Sequence, residues 1–268
     1  MRRWWVPIFC VLAACNYETE QPPISVVFSP QAADVSLAEA FSRINLQLFD
    51  SAGGKVFSKV QTQQAGADAF GAFSWDLRAG RYVVVAVGHS SPRSATIKSP
   101  EMVQFTLQDG VKLSDTFCWC DTVEVTDDPI RYTLTMRRVS SMFRLVLTDS
   151  APSYVDRFVF RYTGGSGNFN AVTCHGCSRS TQTETRSVRD TLEVFTFPYM
   201  SDSCKLEMSV AAMAGDDTVR LRTFSEVPMV RNHITEYSGD FFGQDPMQPF
   251  VITFNAQTDW EGVTVVRF

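Results

Sequence analysis

The side chains in this chain best suited to chemistry are its thiols. Cys118-Trp119-Cys120 and Cys174-His175-Gly176-Cys177 place two close pairs in the middle of the sequence, and Cys204 follows alone. Together the pairs could supply four thiolates, the number a structural zinc takes. The second pair alone has redox C-x-x-C spacing, but that chemistry relies on a helix N-terminus to lower a thiol pKa. No helical pattern follows it. Its histidine lies inside the pair, so it is no haem attachment motif either. In an exported chain the common fate is a disulfide. Disulfide, free thiol and zinc all stay open at this point. With Cys118, Cys120, Cys174, Cys177 and Cys204 an odd number, internal disulfides would leave at least one thiol unpaired.

Other constellations are weaker. His89, His175 and His233 have no ligand partners at helical spacing, and read as surface or satisfied sheet residues. Gly164-Gly165-Ser166-Gly167-Asn168 hints at a nucleophile elbow, yet position 168 is Asn where that turn needs Gly. No lysine follows it, so it is no phosphate loop. A flexible hairpin tip is the expectation. Asp127-Asp128 and Asp216-Asp217 lack the spacing of a calcium loop and read as solvated turns. No constellation here makes an active site, so the expected role is non-enzymatic, with no cofactor and no metal.

The remaining chemistry is at the N-terminus. Arg2 and Arg3 precede an uncharged apolar run, Trp4 to Ala14, which is too short for the roughly 20 residues that span a bilayer. The run ends in Leu12-Ala13-Ala14-Cys15, which resembles a bacterial lipobox. Small residues let the backbone enter a signal peptidase that cuts between Ala14 and Cys15, and the Cys15 thiol takes diacylglycerol. Two or more acyl chains hold a protein stably on a membrane. Residues 1–14 are thus expected to be a signal peptide. Residues 15–23 are polar and stiffened by Pro22 and Pro23, and read as a lipidated tether.

Losing residues 1–14 removes two arginines and no acid, which moves the formal charge from -5 to −7. No basic block remains to displace phosphate counterions, so nucleic acid is not an expected partner.

The elements that must position these residues are strands. Arg43 to Phe49 alternates polar and apolar as a half-buried strand does, Asp50 to Gly54 forms a turn, and Lys55 to Val60 returns. Tyr82 to Val87 is unbroken apolar sequence, as in a strand covered on both faces. Further strands are predicted at 102–107, 122–126, 131–136, 142–148, 157–162, 191–197, 205–212, 219–225, 233–238, 249–254 and 263–268. The single helical candidate is Ala32 to Phe41. Short strands without alternating helices predict an all-β chain of packed sandwiches. A boundary at Asp127-Asp128-Pro129 would divide it into residues 24–127 and 128–268, with a faint repeat of element order between the two.

These residues carry a resemblance to the fimbrial anchor and accessory lipoproteins of Bacteroidota. Leu46-Gln47-Leu48-Phe49-Asp50 with Gly53 and Gly54, and Leu77-Arg78-Ala79-Gly80-Arg81-Tyr82, are similar to that family's first-domain strands. Arg137-Arg138-Val139 before Met142 to Leu147 is similar to its domain opening. Val227 to Thr235 (VPMVRNHIT) with Gly239 and Phe241, and Asp259-Trp260, resemble its later segments. The resemblance implies two tandem transthyretin-like sandwiches, no catalytic residues, and a place at the outer membrane holding a fimbria or joining its accessory complex.

The implied partners are the membrane, through lipid on Cys15, and fimbrial subunits. A terminal strand such as Val263 to Phe268 could take part in strand addition at a sandwich edge. The alternative is a surface lipoprotein that binds glycan for nutrient uptake, with Trp75, Trp119 and Trp260 as stacking surfaces.

Overall fold

The computed structural model describes residues 23–32, 36–63, 70–243, 253–257 and 260–267. The signal segment, Ala14, Cys15 and most of the tether lie outside the described residues, as does Asp259.

Up to Arg138 the elements are β1 (Ile24–Ala32), a single helical turn α1 (Leu37–Ala40), β2 (Arg43–Phe49), β3 (Lys55–Thr62), β4 (Phe73–Leu77), β5 (Gly80–His89), β6 (Thr96–Ser99), β7 (Met102–Gln104), β8 (Thr116–Val125) and β9 (Ile130–Arg138). Then come β10 (Ser141–Leu147), β11 (Arg157–Thr163), β12 (Asn168–Asn170), β13 (His175–Gly176), β14 (Gln182–Ser187), β15 (Glu193–Thr196), β16 (Ser203–Ala214), β17 (Asp217–Val230), β18 (His233–Gly239), β19 (Thr253–Gln257) and β20 (Trp260–Arg267).

The chain is nearly all β, as its period-two patterning predicts. The first seven-stranded sheet has the order β3-β2-β5-β8-β9-β1-β4. Strands β8 and β9 pair only at Phe117↔Arg138 and Cys118↔Arg137, and there the sheet folds into two layers. Between the layers lies a core that includes Phe28, Ile44, Leu46, Phe73, Val84 and Leu134. Fully burying such side chains is worth roughly 1.5–3 kcal/mol each.

The second sandwich repeats this plan. Its layers are β14-β11-β16-β17 and β15-β10-β18-β20-β19, around a core that includes Phe143, Phe158, Phe160, Tyr162, Val210 and Phe241. In sheet order, β14-β11-β16-β17 matches β3-β2-β5-β8, and β15-β10-β18 matches β4-β1-β9. The parallel pairing of β1 with β9 in the first sandwich reappears as β10 with β18. The two halves thus repeat a strand order in which β5 corresponds to β16, while β2 corresponds to β11 and not to β10. The second sandwich adds a hairpin: β20 lies parallel to β18, and β19 folds back on it.

A small bridging sheet, β13-β12-β7-β6, takes strands from both halves. It covers the outer face of β5 and β8. The interface is apolar, with Val85, Val87 and Cys118 meeting Val103, Phe105, Phe169 and Phe197.

Several expectations from sequence change in detail. Strand β9 pairs with β1 and β8, so the changeover between sandwiches falls at Val139–Ser140, beyond the Asp127-Asp128 turn. Strand β2 is buried on both faces, since the side chains of its polar positions are satisfied inside the protein. Asn45 Nδ2 donates to the Ala95 carbonyl (2.8 Å) and Gln47 Nε2 to that of Phe57 (2.6 Å). The helix predicted over Ala32 to Phe41 shrinks to Leu37–Ala40, with residues 33–35 outside the described residues. Phe41 then leaves it to lie on Gly88, where a Cβ would come within 2.6 Å of the ring. Strands β1, β4, β6, β12, β13 and β14 were not expected.

Candidate functional site

The strongest polar cluster lies where the two sandwiches meet. Arg138, the last residue of β9, sends Nε to Asp115 Oδ1 at 2.9 Å and Nη1 to Asn232 Oδ1 at 2.8 Å. Its guanidinium lies over the Phe117 ring (4.6 Å to the centroid) and over Trp260 (3.9 Å). The Arg138 side chain is only 8% exposed, so its charge depends on these partners. Asp115 also accepts a hydrogen bond from Ser140 Oγ. Burial pushes the Asp115 carboxyl above its ordinary range, and Arg138 opposes that shift.

Backbone bonds close the same cluster. Asn232, with φ +59° in the turn between β17 and β18, donates its N–H to the Ser140 carbonyl at 2.9 Å. Its own carbonyl accepts from Glu261 N at 2.9 Å. One arginine and one asparagine thus tie together the loop before β8, the link between sandwiches and the start of the terminal strand. Arg138, Asn232 and Trp260 all fall in segments that carried the family resemblance. Asp115 was missed, and a lone Asp after Ser114 gives no signal in sequence.

The second candidate is a sheet edge. On β18, the side away from β10 is covered by β20, in register from His233↔Gly262 to Ser238↔Arg267. The matching strand β9 pairs with β1 over Ile130 to Met136. On its other side, among the described residues, only Arg137 and Arg138 pair, with β8. Among the described residues, no strand pairs with most of that edge. The opposite side of the first sandwich is shut by side chains: Gln61 bonds the Ala72 carbonyl and the Gly71 N–H, and Phe57 packs on Trp75.

The predicted chemical residues scatter. Among the described residues no group of three His, Cys, Asp or Glu side chains could hold a metal ion. Cys118, Cys120, Cys174, Cys177 and Cys204 are all free thiols in this structure. Cys118, Cys120 and Cys174 gather at the bridging sheet. Cys177 Sγ lies 3.7 Å from Met102 Sδ, and Cys204 packs on the second core. Burial raises the thiol pKa at each of these cysteines, pushing Cys120 up to about 12 with help from the nearby Cys174.

His89 is fully buried, accepts the Ser91 N–H at Nδ1 and faces Asn45 Oδ1 at 3.0 Å. Burial, aided by the Arg43 charge, lowers its pKa to about 3. His175 pairs with Asp202, which also meets Arg231. His233 Nδ1 contacts the Arg231 carbonyl. The acidic pairs at Asp127-Asp128 and Asp216-Asp217 are exposed at turns.

The segment Gly164 to Asn168 is not a flexible tip. Gly165, Ser166 and Gly167 are buried, and Ser166 bridges to Phe197 and Arg179. Missing side chains explain the packing. A Cβ on Gly165 would collide with Thr196 Oγ1, and one on Gly164, at φ +104°, with the Lys205 carbonyl.

No protein-family model matches the chain, and no curated protein matches it. Solved structures do. A Bacteroides ovatus protein provisionally described as an adhesin superposes with a TM-score of 0.53 at 15% identity, over 76% of this chain and 83% of that one. A Bacteroides thetaiotaomicron protein provisionally described as polysaccharide binding superposes with a TM-score of 0.51 at 10% identity, over 74% and 79%. The chain has the fold of these two proteins. The fimbrial anchor protein Mfa2 from Porphyromonas gingivalis matches with a TM-score of 0.45 at 14% identity, over 76% and 83%, below the level at which folds are equated.

Proposed function

We propose that this chain is a surface lipoprotein of the outer membrane, held by lipid on Cys15, which anchors a fimbria or joins its accessory complex. It works by docking and not by catalysis. The lipobox and the family resemblance support the location, and the likeness in fold to a protein provisionally described as an adhesin is consistent with it.

The observation that carries the docking role is the contrast between β18 and β9. The chain covers the β18 edge with its own β20, in parallel, and leaves the equivalent β9 edge uncovered over Ile130 to Met136 among the described residues. An uncovered edge offers backbone donors and acceptors to an incoming strand. A strand from a fimbrial subunit, added parallel to β9, would complete the first sandwich as β20 completes the second.

The test places proline singly at positions 131 to 135 of the full chain and measures capture of fimbrial subunits, with circular dichroism to confirm folding. Alternate positions face the open side, so binding should fall at every second site. Undiminished capture by all five folded variants would contradict the edge.

The glycan-binding alternative draws on Trp75, which is 47% exposed. Trp119 packs against the first core, and Trp260 lies beneath Arg138. A glycan array that binds the chain and loses that binding with Trp75→Ala would favour this reading.

A further inference from the structure

Period two on β8 sends Phe117 and Trp119 into the first core and Cys118 and Cys120 to the opposite face. That face meets the bridging sheet. There the turn between β12 and β13 carries Cys174, which packs against the same apolar cluster as Cys118 and Cys120. The turn is held in shape. Asn170 Oδ1 accepts the N–H groups of Val172 and Thr173, and the Asn170 carbonyl accepts that of Cys174 at 2.9 Å. Cys174 itself sits at φ +61°, in the left-handed region.

The three thiols differ in access. Cys118 is 2% exposed, inside the cluster, whereas Cys120 and Cys174 are half-buried at its rim. Cys177, the sequence neighbour of Cys174, stands beside Met102.

We propose that Cys120 and Cys174 form a disulfide that staples strand β8 of the first sandwich to the β12–β13 turn of the second half. The oxidant is a small or protein disulfide of the thiol-exchange class. One cysteine thiolate attacks that disulfide, forming a mixed disulfide and expelling one thiolate. The other cysteine thiolate then attacks the cysteine sulfur of the mixed disulfide and expels the second. Two thiols lose two electrons and two protons, and one disulfide is reduced to two thiols.

Burial raises the pKa of both thiols in the finished fold, which disfavours the thiolate that exchange requires. The bond joins residues far apart in sequence, the arrangement in which a crosslink most constrains the unfolded chain.

The test refolds the reduced full chain from urea in mixed reduced and oxidised glutathione. Free thiols are trapped with N-ethylmaleimide under denaturing, non-reducing conditions before peptide mapping. The expected product links Cys120 to Cys174 and leaves Cys118, Cys177 and Cys204 alkylated. Fragment spectra separate Cys118 from Cys120, and Cys118→Ala should keep the link while Cys120→Ser abolishes it. Reduction should lower the melting temperature of the linked protein by roughly 5–10 °C and leave that of Cys120→Ser unchanged. A Cys174 linked to any other cysteine, or alkylation of both Cys120 and Cys174, would overturn the assignment. Because glutathione supplies the oxidation, the outcome does not depend on whether the chain is exported.

Discussion

The Arg138 guanidinium lies between Asp115 Oδ1, at 2.9 Å, and Asn232 Oδ1, at 2.8 Å, and so joins three segments of chain at the meeting of the two sandwiches. Arg138→Ala would strand the Asp115 carboxylate and remove the cation over Trp260. Breaking one partner of a buried pair costs about 3–5 kcal/mol. Urea unfolding should show a loss of that order. Arg138→Lys, which keeps charge but not the fork, should lie between.

Gly88→Ala should be destabilising although its backbone is ordinary. The added Cβ would meet three ring carbons of the fully buried Phe41. Overpacking of this kind costs roughly 1–3 kcal/mol. Pairing it with Phe41→Leu, which withdraws the ring, should recover part of the loss, as a double-mutant cycle would register.

His89 gives the protein a pH dependence of known sign. Its pKa is about 3 in the fold against an ordinary 6.5, so the folded state favours the neutral ring. The stabilisation is complete above pH 6.5 and declines as pH falls toward 3. Between pH 7.5 and 5 the loss should be about 2 kcal/mol, at about 1.4 kcal/mol per unit. His89→Gln, which can still accept from Ser91 N and donate to Asn45, should flatten that profile in urea titrations at several pH values.

Removing residues 258–268 should expose the β18 edge, which β20 now covers, and uncover the guanidinium face of Arg138. Edge exposure favours self-association. Size-exclusion chromatography should show dimers or larger species at concentrations where the full chain does not form them.

How much of this was legible in the sequence follows from what each segment packs against. Tyr82 to Val87 reads correctly as a doubly covered strand because both faces are apolar. Strand β2 misleads, since Asn45 and Gln47 look solvent-facing yet spend their hydrogen bonds on the Ala95 and Phe57 carbonyls. Strand β14 is invisible to hydrophobic patterning because its inward residues are Gln182, Glu184 and Arg186, with Glu184 accepting from Tyr162 and from Arg186. The Gly-rich stretch at 164–168 looks flexible because glycine signals both freedom and close approach, and only the neighbours Thr196 and Lys205 decide between them. Alternation alone puts Cys118 and Cys120 on one face. That Cys174 meets them depends on the bridging sheet, whose strands come from both halves and leave no local trace.

The central claim, a lipid-held protein that attaches a fimbria, is tested most directly by replacing Cys15 with Ala in cells and following lipid labelling together with fimbriae by electron microscopy. The label should disappear, and fimbriae should be shed into the medium. Fimbriae that stay attached in normal number on cells whose protein carries no lipid would contradict the claim.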